Sequence, residues 1–214
     1  MKQFDLSLYL VLDRDLCGSF GMVETAIAAV RGGATLVQLR DKNASLDEMV
    51  VTGKALKQAL HGTEAKLIIN DNVEAALAIG ADGIHIGQSD GIDEEVRAKI
   101  GSDMILGLSV QTSELAAKVD SSVVDYLGIG PVFPTATKKN CAPAIGFDGL
   151  QRVLSHNGLP AVAIGGIKLN HVDDILATGA EGLAVVSAIC GQPDPEQASR
   201  ALKTAIAHYR SMKD

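Results

Sequence analysis

The stretch GGATLVQLR, Gly32 to Arg40, runs from a helix-ending glycine through a small residue into a short apolar strand. The same grammar returns in IGADGIHIG (79–87) and TGAEGLAVV (178–186), a weak internal repeat of one βα unit. Further apolar runs fall at 8–12 (LYLVL), 66–70 (KLIIN), 104–109 (MILGLS), 125–130 (DYLGIG) and 161–166 (AVAIGG), making eight in all. Near-continuous apolar strands separated by helices imply a parallel sheet covered by helices. Eight such units close into a (β/α)8 TIM barrel, and residues 1–214 are expected to form it as a single domain. An open, doubly wound sheet is the alternative, lowered by the lack of a G-x-G-x-x-G turn after the first strand.

Helix ends are readable between the strands. Ser45 followed by Glu48 matches a capping box; Met49, Val50, Leu56 and Leu60 recur on one face, and Gly62 supplies a left-handed stop. The last helix is expected to begin near Pro195 and to turn Ala198, Ala201, Leu202 and Ile206 inward.

The totals exclude several functions. A net charge of -7 with 3% aromatic residues and no tryptophan argues against a nucleic-acid surface and against anionic lipid. No segment is long enough to span a bilayer, and the N-terminal apolar run stops at Asp13, too soon for a signal peptide. Cys17, Cys141 and Cys190 stand in no C-x-x-C spacing, which fits a reducing cytoplasm and small buried hydrophobes. Exposed helix faces would permit a homodimer.

In a barrel of this kind, chemistry sits at the C-terminal strand tips. Strand alternation puts Val37 and Leu39 toward the helices and turns Gln38, Arg40 and Lys42 toward the axis and its mouth. Cations there are costly unless an anion joins them. The third tip delivers Asn70 and Asp71, and the fourth Asp90. Two carboxylates could be a general acid and base, but beside Arg40 and Lys42 they suit Mg2+ better; the alternative is that Asp71 or Asn72 simply caps the following helix. The fifth tip carries Ser109, and the sixth opens into GPVFPTATKKN, with Thr135, Thr137 and Lys138. Gly165 and Gly166, with Asn170 as a cap behind them, and Val186 and Ser187 occupy the position where barrels of this class recurrently bind phosphate. His85 is either a packed, hydrogen-bonded residue or a substrate contact. Two anion sites emerge, one of cations with a carboxylate-bound metal and one of backbone amides, which points to two phosphorylated small molecules.

Taken in order, LYLVLDR, QLRDK, IND with ADGIHIGQSD, GLSVQT, GPVFPTATKK, AIGGI and VVSAI resemble the thiamine phosphate synthase family over nearly the whole chain. The resemblance implies a transferase that condenses hydroxymethylpyrimidine diphosphate with hydroxyethylthiazole phosphate, releasing pyrophosphate with the help of Mg2+. It assigns Gln38, Arg40, Lys42, Asn70, Ser109 and Lys138 to the pyrimidine diphosphate, with Arg40, Lys42, Ser109 and Lys138 as the catalytic set. Asp71 and Asp90 match the metal ligands, and Thr135, Thr137, Gly166, Val186 and Ser187 match the thiazole phosphate positions. Asn72 stands where many relatives have a second acid. A thiazole tautomerase, which is similar in fold, would carry a histidine near Gln111; a Schiff-base aldolase on Lys42 or Lys138 and a non-enzymatic phosphate sensor are the other readings.

Overall fold

The computed structural model describes residues 2–88, 93–135, 137 and 142–213. Asp90, Lys138 and Cys141 lie outside them. The strands are β1 (Leu8–Val11), β2 (Leu36–Leu39), β3 (Lys66–Asn70), β4 (Gly83–Ile86), β5 (Ile105–Val110), β6 (Tyr126–Ile129), β7 (Ala161–Ile164) and β8 (Gly182–Val185). All pair in parallel in chain order, and β8 pairs back to β1, so the sheet is a closed barrel rather than an open one. Each of the repeated segments ends in a strand of the barrel.

Alternation along the strands divides the side chains into two populations. Leu8, Leu10, Val37, Leu39, Leu67, Ile69, Ile84, Leu106, Leu127 and Leu183 face outward and pack with the helices. Tyr9, Val11, Leu36, Ile68, Ile105, Tyr126, Val162 and Ala184 fill the interior. The two interior tyrosines need space, and glycines on the inward register positions provide it: an added Cβ at Gly107 would lie 2.1 Å from Tyr126 Cζ, and one at Gly128 would lie 2.9 Å from His85 Cε1. Above this layer, Gln38, Asn70, His85 and Ser109 continue the inward rows toward the mouth.

Side chains between strands close the opposite end of the barrel. Asp82, just before β4, accepts the Leu67 N–H of β3 at 2.9 Å, and Asp125, just before β6, accepts the Leu106 N–H of β5 at 2.8 Å. Thr35 does the same for Leu8 at 3.2 Å. Amides that the staggered ladder would leave unpaired are thus satisfied. Asp125 also binds Lys2 and Arg97, both at 2.7 Å.

The helix over Leu46–Ala59 starts with the full Ser45–Glu48 capping box, and Gly62 has the left-handed φ expected of a stop. Met49, Leu56 and Leu60 are buried, whereas Val50 is half-buried. The final helix, Pro195–Ser211, buries Leu202 and Ile206 as expected, but Ser199 takes the place assigned to Ala198, which is half-buried, as is Ala201. The reason is a close crossing: Ser199 Oγ donates to Ala29 O at 2.7 Å, and a Cβ on Gly32 would fall 2.6 Å from Ser199 Cβ. Asn170 is not a cap either. It sits inside the 3-10 turn Leu169–His171, and the helix Val172–Ala177 begins with no side-chain cap bond. Cys17 and Cys190 are buried free thiols with their sulfurs 3.7 Å apart. Among the described residues no helix is long and apolar enough to cross a membrane.

Candidate active site

At the C-terminal strand ends a cavity of about 320 Å³ opens, lined by residues from all eight strands or the loops that follow them. Gln38, Arg40, Asn70, Ser109, Thr135, Thr137, Gly166, Val186 and Ser187 all line it. Lys42 and Asp71 do not; they form an ion pair at 3.5 Å, with side chains 54% and 30% exposed, Asp71 following Asn70 directly and Lys42 standing two residues after Arg40.

The cations carry protein carboxylates beside them. Arg40 Nη1 stands 3.8 Å from Asp13 Oδ2, and Arg14 pairs with the buried Asp41. Asp13 also accepts the Leu16 N–H at 3.0 Å, capping the short helix Arg14–Cys17. Desolvating Arg40 without an anion would be costly, and Asp13 reduces that cost before any ligand arrives.

The ambiguity between Asp71 and Asn72 is resolved by geometry. Asn72 is the cap: its Oδ1 accepts the Ala75 N–H at 2.8 Å at the start of the helix Val73–Ile79. Asp71 is therefore released from that task, and its backbone takes a left-handed φ of 63°, the one positive value outside glycine among the described residues. Its N–H donates to His85 O at 2.9 Å, tying β3 to β4 just where the carboxylate leaves the sheet. A non-glycine residue held in this region stores strain, and such residues cluster at functional sites.

Across the cavity, the glycine pair serves two purposes. Gly165 and Gly166 have φ of 102° and 64°, and a Cβ on Gly166 would come within 2.6 Å of Pro134 O. The glycines thus let the loop after β6 lie directly on the end of β7, where Val132 N and Phe133 N donate to Ile164 O and Gly165 O at 2.9 and 3.0 Å. Phe133 stacks on His171 at 4.1 Å and anchors the loop. The result carries Thr135 and Thr137 to the Gly166 side, with Thr137 N donating to Thr135 Oγ1 at 3.2 Å. After β8, Ile189 N and Cys190 N both donate to Val186 O, at 3.0 and 2.8 Å. Ser187 therefore opens a helical turn, the place where backbone amides have no partner within the turn and suit an anion.

The floor was not foreseen. His85 is the packed, hydrogen-bonded residue of the first reading: its Nδ1 lies 2.9 Å from Tyr126 Oη and its Nε2 2.9 Å from Ser109 Oγ, and its ring lines the cavity. Tyr9, which also lines the cavity, and Tyr126 beneath it were overlooked, although alternation in LYLVL places Tyr9 and Val11 on the face opposite Leu8, Leu10 and Leu12. Burial raises both phenols above their usual pKa, so both stay O–H groups.

A closed parallel barrel whose cavity at the C-terminal strand ends mixes apolar walls with convergent polar groups is the architecture of barrel enzymes that act on small molecules. A family model described as thiamine monophosphate synthase matches residues 8–189. A thiamine-phosphate synthase of Xanthobacter autotrophicus is 49% identical over 98% of this chain and 99% of that protein. One from Azorhizobium caulinodans is 46% identical over 97% of this chain and 98% of its own length. The solved thiamine phosphate pyrophosphorylase of Pyrococcus furiosus superposes with a TM-score of 0.86 at 37% identity, covering 95% of this chain and 96% of that one. The chain belongs to the thiamine monophosphate synthase family.

Proposed function

We propose that the cavity is where hydroxymethylpyrimidine diphosphate and hydroxyethylthiazole phosphate condense to thiamine phosphate and pyrophosphate, the transferase activity of the family. The observation that carries this reading is that one cavity gathers Gln38, Arg40, Asn70 and Ser109 on one side and Thr135, Thr137, Gly166, Val186 and Ser187 on the other. The first group, with Lys42 and Lys138, receives the diphosphate; the second holds the thiazole phosphate. Asp71 and Asp90 are the residues proposed to hold Mg2+. For Asp71 the fit is good: the carboxylate is released from capping, partly exposed and beside a lysine. A bound Mg2+ would supply positive charge against the departing diphosphate.

The chain's own residues account for the rest. Arg40 and Lys42 bring the diphosphate to the mouth, exchanging part of their contact with Asp13 and Asp71 for phosphate oxygens. The methylene C–O bond breaks with its electron pair leaving on the diphosphate, and the amino-substituted pyrimidine stabilises the electron-poor carbon. The thiazole nitrogen then forms the C–N bond. Held donors aimed at the leaving group and two partners bound in one mouth are the sources of rate.

Incubating the purified protein with both precursors and Mg2+ is expected to yield thiamine phosphate and pyrophosphate in equal amounts by chromatography. Binding without product would favour the sensor, and a borohydride-trapped adduct the aldolase. Lys42, half-exposed and ion-paired, lacks the desolvation a Schiff-base lysine requires. The tautomerase reading loses its histidine, since Gln111 lines the cavity instead. The finer parts of the proposal are a cytoplasmic setting, supported by two buried free thiols, and a homodimer covering exposed Val51 and Leu77, which sedimentation velocity would read out.

A further inference from the structure

We propose that Tyr126 is a positioning residue that passes the hydrogen-bond direction set at Gln38 on to His85, and thereby makes the Ser109 hydroxyl a donor to an anionic oxygen of the bound substrate. The substrate half of this statement rests on the function proposed above; the direction of the chain does not.

The atoms form one continuous line across the barrel. Gln38 Nε2 donates to Tyr9 Oη at 2.7 Å, Tyr9 Oη meets Tyr126 Oη at 2.9 Å, Tyr126 Oη meets His85 Nδ1 at 2.9 Å, and His85 Nε2 meets Ser109 Oγ at 2.9 Å. An amide N–H can only donate, so the Tyr9 oxygen accepts and its own proton must go elsewhere. Tyr9 is 1% exposed, and among the described residues the other partner of its hydroxyl is Tyr126. If Tyr126 donated to Tyr9 instead, the Tyr9 proton would be buried without an acceptor, which folded proteins avoid. Tyr9 therefore donates to Tyr126, and Tyr126 donates to His85 Nδ1.

A ring nitrogen that accepts carries no proton, so the neutral imidazole holds its proton on Nε2. That N–H donates to Ser109 Oγ. With its oxygen occupied as an acceptor, Ser109 has its own O–H left to offer to the cavity it lines, where it meets an acceptor such as a phosphate oxygen. Both phenols remain protonated because burial raises them, which keeps the line intact. Gly107 and Gly128 leave the room in which Tyr126 and His85 lie across the barrel.

The test combines histidine side-chain 15N NMR with steady-state kinetics on the full chain, the His85 signal being assigned by its loss in His85→Asn. The wild type is expected to show His85 as the Nε2–H tautomer. Tyr126→Phe keeps the ring but removes the donor to Nδ1, so the signal should move toward the Nδ1–H form and kcat should fall about tenfold, with the KM for the thiazole phosphate unchanged. Tyr9→Phe cuts the line upstream of that donor and should leave the His85 tautomer as it was, a directional result that general loosening of the core would not give. An Nδ1–H tautomer in the wild type would overturn the proposal. So would a Tyr126→Phe protein with an unaltered His85 signal and wild-type kcat. Absence of any product from the wild type would refute the function instead, with the tautomer still decided by the spectrum.

Discussion

Asp71→Gly is expected to lower thiamine phosphate formation by about a hundredfold or more while leaving the folded protein as stable as before, or more so. The two halves of this result have separate causes. Asp71 holds a φ of 63°, a region that costs most side chains of order 1–3 kcal/mol and costs glycine almost nothing. Removing the side chain relieves that strain, offset in part by the greater freedom of glycine in the unfolded chain, for a net gain of up to about 1 kcal/mol. The helix behind it is unaffected, because its cap is Asn72. Activity falls because the carboxylate beside Lys42 is gone, and with it one of the two groups proposed to hold the metal. Asp71→Asn, which also tolerates the left-handed region, should lose activity similarly without the gain in stability. Denaturant unfolding and a product assay on the same samples check both signs. A glycine variant that is less stable by more than 1 kcal/mol would show that Asp71 serves the fold rather than the site.

Gly107→Ala carries the largest structural effect. Its added Cβ would lie 2.1 Å from Tyr126 Cζ and 2.4 Å from Tyr126 Oη, inside a closed barrel where Tyr126 is fully buried. Neither a backbone shift nor a new rotamer is cheap there, because the ring packs between Phe4, Tyr9 and His85. Overpacking of this kind costs about 1–3 kcal/mol, and displacing the hydroxyl from its partners adds about 1–3 more. For a chain of this size the melting temperature should drop by about 5–15 °C. Combining the change with Tyr126→Val, which vacates the space, should cost less than the sum of the two single changes. Strict additivity in that double-mutant cycle would mean that the glycine has another purpose.

These two positions show what could be read from the sequence. All eight strands were legible, and for β2 both faces were, because alternation is a local property that a buried sheet enforces. It correctly sent Val37 and Leu39 outward and Gln38 and Arg40 inward. The capping box at Ser45 and the start at Pro195 were legible for the same reason: each is settled within one turn of helix. What was not legible depends on closure of the barrel. Tyr9 meets Tyr126 from 117 residues away, and only the ring of eight strands makes them neighbours. Gly107 reads as one residue of an apolar strand until Tyr126 is seen lying over it. Asp13 reads as the end of an apolar run, yet it serves both a helix start and Arg40. Gly165 and Gly166 were read as room for a ligand, whereas the loop after β6 already occupies part of that space. Ser199 displaced Ala198 because two helices cross closely enough for a serine hydroxyl to reach Ala29 O.

In the proposed function, Arg40 in the cavity and the Lys42–Asp71 pair beside it serve a metal-assisted release of a diphosphate. Product formation from both precursors, followed while Mg2+ is first removed by a chelator and then restored in excess, tests it most directly. Synthesis should stop in the chelated solution and return with added Mg2+, with Asp71→Asn showing little recovery at the same concentrations. An undiminished rate in a thoroughly metal-free solution would contradict the account.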